Sequence, residues 1–126
     1  MSHFTKIKTK LTDINTLERS LKRSLQWETK RNSIVRGYQD NTINAELVSI
    51  NPHSSYDVGF IKNDNAYELV TDFYGLKNYY TQENLLRLIT QNYSLSVIED
   101  EAMENNFIIG VPEYEKDGSI RLVLSR

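Results

Sequence analysis

Few side chains in this 126-residue sequence have the type and spacing that covalent or metal chemistry requires. Cysteine is absent, which removes a disulfide framework, a thiolate zinc site, a cysteine-held iron–sulfur cluster and a cysteine nucleophile. The two histidines, His3 and His53, stand fifty positions apart, so no i, i+4 pair faces a metal from one helix. The five glycines, at 37, 59, 75, 110 and 118, are never closer than eight apart. That spacing excludes both the dinucleotide-binding G-x-G-x-x-G turn and the Walker-A phosphate loop. No G-x-S-x-G elbow presents a serine nucleophile, and no residue set is readable as a cofactor or metal site.

What remains is recognition chemistry, each piece with a plainer structural reading beside it. Arg36-Gly37-Tyr38 would present a guanidinium and a phenol from a glycine turn, a way to hold a carboxylate, a phosphate or a base. The plainer reading is a strand end whose arginine pairs with an acid of the same fold. Lys6, Lys8 and Lys10, joined by Arg19, Lys22 and Arg23, would make a basic patch for nucleic acid or an anionic protein. Lysines on a strand also discourage edge-to-edge pairing. Tyrosines 38, 56, 67, 74, 79, 80 and 93 outnumber the needs of a small core. Tyr67 and Tyr93 fall on core stripes, whereas the connector from Tyr74-Gly75 through Tyr79 and Tyr80 puts aromatics on a loop, where packing explains them less well. Glu68 and Asp72, four apart on a strand and so roughly 13 Å apart, are too distant to share a proton and read as a solvated face. Glu99, Asp100, Glu101 and Glu104 would attract Mg²⁺ or a basic partner, and their plainer reading is the wet face of a helix.

Net charge is −2, but residues 1 to 36 hold nine Lys/Arg against three acids, and the remainder holds six against 14. Such asymmetry marks an anionic partner for the basic end, or lets two parts of one fold attract each other. The start of the chain has no apolar segment behind its charges. The longest charge-free run near the middle, Leu88 to Ile98, is eleven residues and polar in part, too short for the roughly 20 apolar residues of a membrane span.

The elements that must position these residues follow from periodicity. Phe4 to Leu11 alternates as a strand with its lysines facing water. Ile14, Leu17, Leu21 and Leu25 recur at helical spacing behind a Thr12-Asp13 cap. Trp27 to Arg31 and Ser33 to Tyr38 read as short or irregular strand. Ala45 to Ile50, Tyr56 to Lys62 and Ala66 to Thr71 form a meander divided by turns at 51–55 and 63–65, with Tyr67, Leu69 and Thr71 on a core face and Glu68, Val70 and Asp72 on a wetter one. Thr81 starts a second helix through Leu85, Leu86, Ile89, Tyr93 and Val97 to about Asn105. Phe107 to Val111 and Ile120 to Leu124, about an Asp117-Gly118 turn, close the chain as a hairpin. The expectation is one domain over 1–126 of α+β class, a mostly antiparallel sheet with two helices on one face, in the order β-α-β-β-β-β-α-β-β.

Met1-Ser2-His3-Phe4-Thr5-Lys6-Ile7-Lys8-Thr9, Val35-Arg36-Gly37-Tyr38, Tyr56-Asp57-Val58-Gly59-Phe60, Ala66-Tyr67-Glu68-Leu69-Val70 and Asp117-Gly118-Ser119-Ile120-Arg121-Leu122-Val123-Leu124 occur in this order across nearly the whole chain. Together they resemble the hypothetical chloroplast reading-frame thirty-five family. The resemblance implies a plastid-encoded domain of unknown function, found in red algae and related lineages with cyanobacterial relatives, and a place in the chloroplast stroma. It carries over no catalytic residue. Where other members tend to have glycine, before Trp27 and before Phe107, this chain has Gln26 and Asn106. The functional expectation is a non-catalytic interaction or assembly factor that binds a protein partner through the basic N-terminal surface or the tyrosine connector. Its alternatives are an RNA-binding module using the basic strand and helix, and a small-molecule enzyme of unknown reaction.

Overall fold

A computed structural model describes residues 3–125. Strand β1 (Thr5–Lys8) is followed by helix α1 (Ile14–Leu25), strands β2 (Glu28–Arg36), β3 (Thr42–Ile50), β4 (Val58–Asn63) and β5 (Ala66–Thr71), and helix α2 (Gln82–Glu104). The five strands form one antiparallel sheet in the order β1-β5-β4-β3-β2. The α+β expectation and its element order hold, except that the closing hairpin is broken into four two-residue strands, β6 (Ile108–Ile109), β7 (Glu113–Tyr114), β8 (Ile120–Arg121) and β9 (Leu124–Ser125). Gly118 turns it at a φ of +89°, a conformation that suits glycine. No helix among the described residues is long and apolar enough to cross a membrane.

Local chemistry sets the helix ends. The Asp13 carboxylate accepts from the Asn15 and Thr16 amides at 2.8 and 3.3 Å, and the Thr81 hydroxyl accepts from the Asn84 amide at 3.1 Å. Helix α1 stops where Gln26 turns left-handed at φ 60°, and α2 gives way at Asn106, φ 61°. These are the two positions where the resemblance implies glycine, and the left-handed turns are present here with Gln26 and Asn106 in its place. Holding a side chain in that region costs about 1 kcal/mol or more. Gln26→Gly is therefore expected to leave the fold unchanged and raise its stability by roughly 0.5 kcal/mol, after allowing for the extra unfolded-state freedom of glycine. Chemical denaturation of the pair of proteins checks this.

Both helices cover one face of the sheet. Leu17, Leu21, Leu85 and Ile89 meet Leu47, Phe60 and Leu69 there, all fully buried. Tyr67 joins this core, and Tyr93 packs against it while its hydroxyl accepts from the Thr12 and Asp13 amides. The opposite face is drier than its alternation suggests, because Val48 and Val70 are also fully buried, in a second cluster with Val35 and Ala45. The cause is a curl in the β2–β3 hairpin. Thr29 and Arg31 bond Glu18 on α1, yet Val35, also odd-numbered, packs on the far face, and between them Asn32 sits at φ 49°. The facing strand reverses at the same level, Leu47 lying on the helix side and Ala45 on the far one, and the two short pieces expected at 27–31 and 33–38 are one bent strand about Asn32. The bent half lies over Gly59, where a Cβ would fall 2.2 Å from Val35 Cγ2. At the other edge Phe4 reaches Gly37, whose Cβ would lie 2.9 Å from the phenyl ring, so the two edges of the sheet converge.

Candidate functional site

The curl gathers two connections, 51–57 after β3 and 72–80 after β5, and two buried aspartates fix them. Asp57, 1% exposed, accepts from Arg36 Nε and NH2 at 2.7 and 2.8 Å, from the Arg36 amide at 3.0 Å and from the Asn51 amide at 2.9 Å. The Arg36 guanidinium also donates to the Asn51 and Ser54 carbonyls. Hydrogen bonding to Asp57 lifts this arginine further above its ordinary range. Of the two readings of Arg36, pairing within the fold is the one observed.

Asp72 is buried as well, which corrects its placement on a solvated face. It lies beyond the end of β5, and its carboxylate accepts from the Tyr38 amide at 3.3 Å and the Tyr74 amide at 3.1 Å. One side chain therefore holds two turns, Tyr38–Asp40 and Phe73–Gly75, side by side. Their rings meet edge to face with centroids 6.0 Å apart, and Lys77 Nζ sits 4.4 Å above the Tyr74 ring. Tyr56 lies flat on Gly75. Burial first, and then the Asp72 carboxylate and the Tyr74 and Tyr38 phenols, raises the Tyr56 hydroxyl above the ordinary phenol range.

On the other side of the same connections is a cleft of about 280 Å³ lined by Leu25, Trp27, Asn51, His53, Leu76, Tyr79 and Tyr80. Asn51 braces its loop, donating to Ser54 Oγ and the Tyr56 carbonyl and accepting from the His53 amide. The Tyr79 and Tyr80 amides both donate to the Leu76 carbonyl at 2.8 Å. Tyr79 is 74% exposed and Tyr74 53%, while Tyr80 packs against the main core.

The basic residues are distributed differently. Lys6, Lys8 and Lys10 are exposed along β1 and just beyond it, but Arg19 and Arg23 do not extend that face. Arg19 makes a two-pronged pair with Asp100 at 2.8 and 3.0 Å, and Arg23 one with Glu99 at 2.6 and 3.0 Å. The acids expected on a wet helix face thus join α2 to α1, and Lys22 is the exposed cation left on that helix turn. The charge asymmetry of the sequence is used at least in part inside the fold. Hydrogen bonding from Arg19 holds Asp100 below its ordinary carboxyl value of 3.8. Burial pushes Glu18 up, but bonds from Thr29 and Arg31 outweigh it and leave Glu18 below 4.5. Between those values and the lower folded ones the unfolded chain binds more protons, so the stability these carboxylates confer is complete above about pH 5 and is lost as pH falls through 4.5 and below. Denaturant midpoints measured from pH 7 to pH 3 are expected to fall chiefly in the last two units.

Sequence reasoning placed Arg36, Tyr38, Tyr74, Tyr79 and Tyr80 as recognition residues, and the fold brings all five to these connections. It missed Trp27, His53, Asp57 and Asp72. An Asn-Pro-His-Ser-Ser turn between strands was the available signal for His53, but nothing local marks the burial of Asp57 and Asp72, whose partners Arg36 and Tyr38 lie over twenty residues away.

The family described as protein of unknown function DUF1257 matches residues 21–123. A protein of Cyanophora paradoxa is 32% identical over 128 residues and one of Guillardia theta 36% over 127, each alignment covering all of this chain and 98% of the relative. A Pyropia yezoensis protein is 32% identical over 127 residues with the same coverage. All three are named "Uncharacterized protein ycf35". No solved structure matches the chain. These relatives are proteins of algal plastids, and the chain is a plastid protein. It belongs to the DUF1257 family, together with the ycf35 proteins it matches from end to end.

Proposed function

We propose that this protein is a non-catalytic interaction or assembly factor, and that it binds a protein partner through the tyrosine connector. The observation that carries this reading is the exposure of Tyr74 and Tyr79 on a segment that buried Asp72 and the Leu76 carbonyl hold rigid. Exposed aromatics on a fixed backbone offer large contact area with little ordering cost, the usual composition of an interface centre. The basic N-terminal surface is the weaker half of the expectation, since two of its arginines are already paired with α2. Tagged protein purified from its own cells, with and without ribonuclease, is expected to retain one stoichiometric protein in both cases. The Tyr74→Ala/Lys77→Ala double variant is expected to lose it. Retention by that variant, with loss on Lys6→Ala/Lys8→Ala/Lys10→Ala instead, would return the site to the basic strand, and recovery of RNA alone would favour the nucleic-acid reading.

A further inference from the structure

We propose that the cleft between Trp27, His53, Tyr79 and Tyr80 is a binding site for an uncharged planar heteroaromatic ring of the nucleobase class. This goes beyond the partner-binding reading and shares only Tyr79 with it. Four aromatic or heteroaromatic side chains from three separate segments converge on one space of about 280 Å³, with Leu25 and Leu76 completing its apolar lining. That volume lies near the small end of ligand pockets, roughly 300 Å³ upward, and suits one ring system.

The polar tips of these rings are unused. Neither the Trp27 indole N–H, the His53 ring nitrogens, nor the Tyr79 and Tyr80 hydroxyls enter any hydrogen bond of the described residues, whereas the neighbouring Asn51 side chain is fully engaged within its loop. An aliphatic or phenyl anchor from a partner would leave those donors and acceptors idle. A ring with a hydrogen-bonding edge would employ them while stacking on their faces.

No lysine, arginine, aspartate or glutamate lines the cleft. The recognised group is therefore the ring and not a phosphate, which separates this site from a phosphate cradle. Two sources share that chemistry, a free nucleoside and a base within single-stranded RNA.

Trp27 is the only tryptophan in the chain, so its fluorescence reports occupancy directly. The intact protein would be titrated with adenosine, guanosine, cytidine and uridine, and in parallel with ten-nucleotide RNA oligomers. Saturable quenching by at least one nucleoside or oligomer is expected. Base stacking is worth roughly 1–3 kcal/mol per base, so Tyr79→Ala is expected to weaken binding about tenfold or more, with His53→Ala weakening it less. Tyr114→Ala, on the closing hairpin, should leave it unchanged. Tighter, salt-sensitive binding of the oligomer would identify an RNA strand as the source, and equal or tighter binding of the nucleoside a free small molecule. Absence of saturable quenching by any of these probes would overturn the proposal. So would quenching that Tyr79→Ala and His53→Ala leave intact. Because the Tyr74→Ala/Lys77→Ala variant does not alter the cleft lining, it separates failure here from failure of the partner-binding reading.

Discussion

Arg36→Leu is expected to destabilise the protein by about 3–5 kcal/mol, the cost of leaving a buried carboxylate without its counter-charge. Asp57 is almost wholly enclosed, and two of its four hydrogen bonds come from this guanidinium. Water cannot replace them without opening the loop 51–57, which Arg36 also holds through the Asn51 and Ser54 carbonyls. For 126 residues such a loss lowers the melting temperature by roughly 10–20 °C. Arg36→Lys should fall between, because an ammonium keeps the charge but not the two-pronged geometry. Asp57→Leu combined with Arg36→Leu should be less destabilised than the sum of the two single changes, since no lone charge is left inside. A loss under about 1 kcal/mol for Arg36→Leu would mean that the pair behaves like an exposed one.

The second large effect is expected at Gly75. A Cβ there would lie 2.0 Å from Tyr56 Cγ and 2.2 Å from both ring Cδ atoms, so the whole ring must leave its seat. Gly75→Ala is expected to cost about 1–3 kcal/mol, the range for forcing extra volume into packed structure. The cost is steric, because the glycine sits in a backbone region open to alanine. Tyr56→Ala in the same chain removes the clash, and the double variant is expected to be no less stable than Tyr56→Ala alone. Thermal unfolding of the three proteins decides this. Displacing Tyr56 also disturbs the connector that carries Tyr74, so Gly75→Ala should lose partner binding along with the Tyr74 variant.

Local pattern made most of the fold readable. The leucine spacing of α1 and its Asp13 cap, the Thr81 cap and the three-strand meander are each written in a few adjacent residues and realised there. What pattern could not give is the reversal about Asn32, which turns Val35, and Ala45 on the facing strand, to the far face. Strict alternation predicts a wet second face. The curl instead encloses Val48 and Val70.

The same curl explains the unequal reading of the site. Tyr74, Tyr79 and Tyr80 were legible because aromatics on a connector stand out by composition alone. Asp57 and Asp72 were not, since each lies just outside a strand and its burial depends on strands that meet only after the hairpin bends. Arg19 and Arg23 looked like free cations for a similar reason, their partners being some 76 to 81 positions away on α2. The closing hairpin runs the other way. Of its alternating apolar residues Phe107, Ile109, Ile120 and Leu122 are only half-buried and Val111 is 88% exposed, while Ile108 and Val123 between them are 64% and 62% exposed. It offers a second apolar surface against which the tyrosine connector must be tested.

The most direct test of the connector as the working surface is a scan with the photo-crosslinking residue benzoylphenylalanine, placed singly at positions 6, 22, 79 and 114 in living cells. Each position is exposed, and 79 and 114 already carry an aromatic ring, so the substitution preserves the fold. A discrete protein adduct from position 79 that survives ribonuclease, with none from 6 or 22, is the predicted result. Adducts from 114 or from 6 and 22, and none from 79, would contradict it.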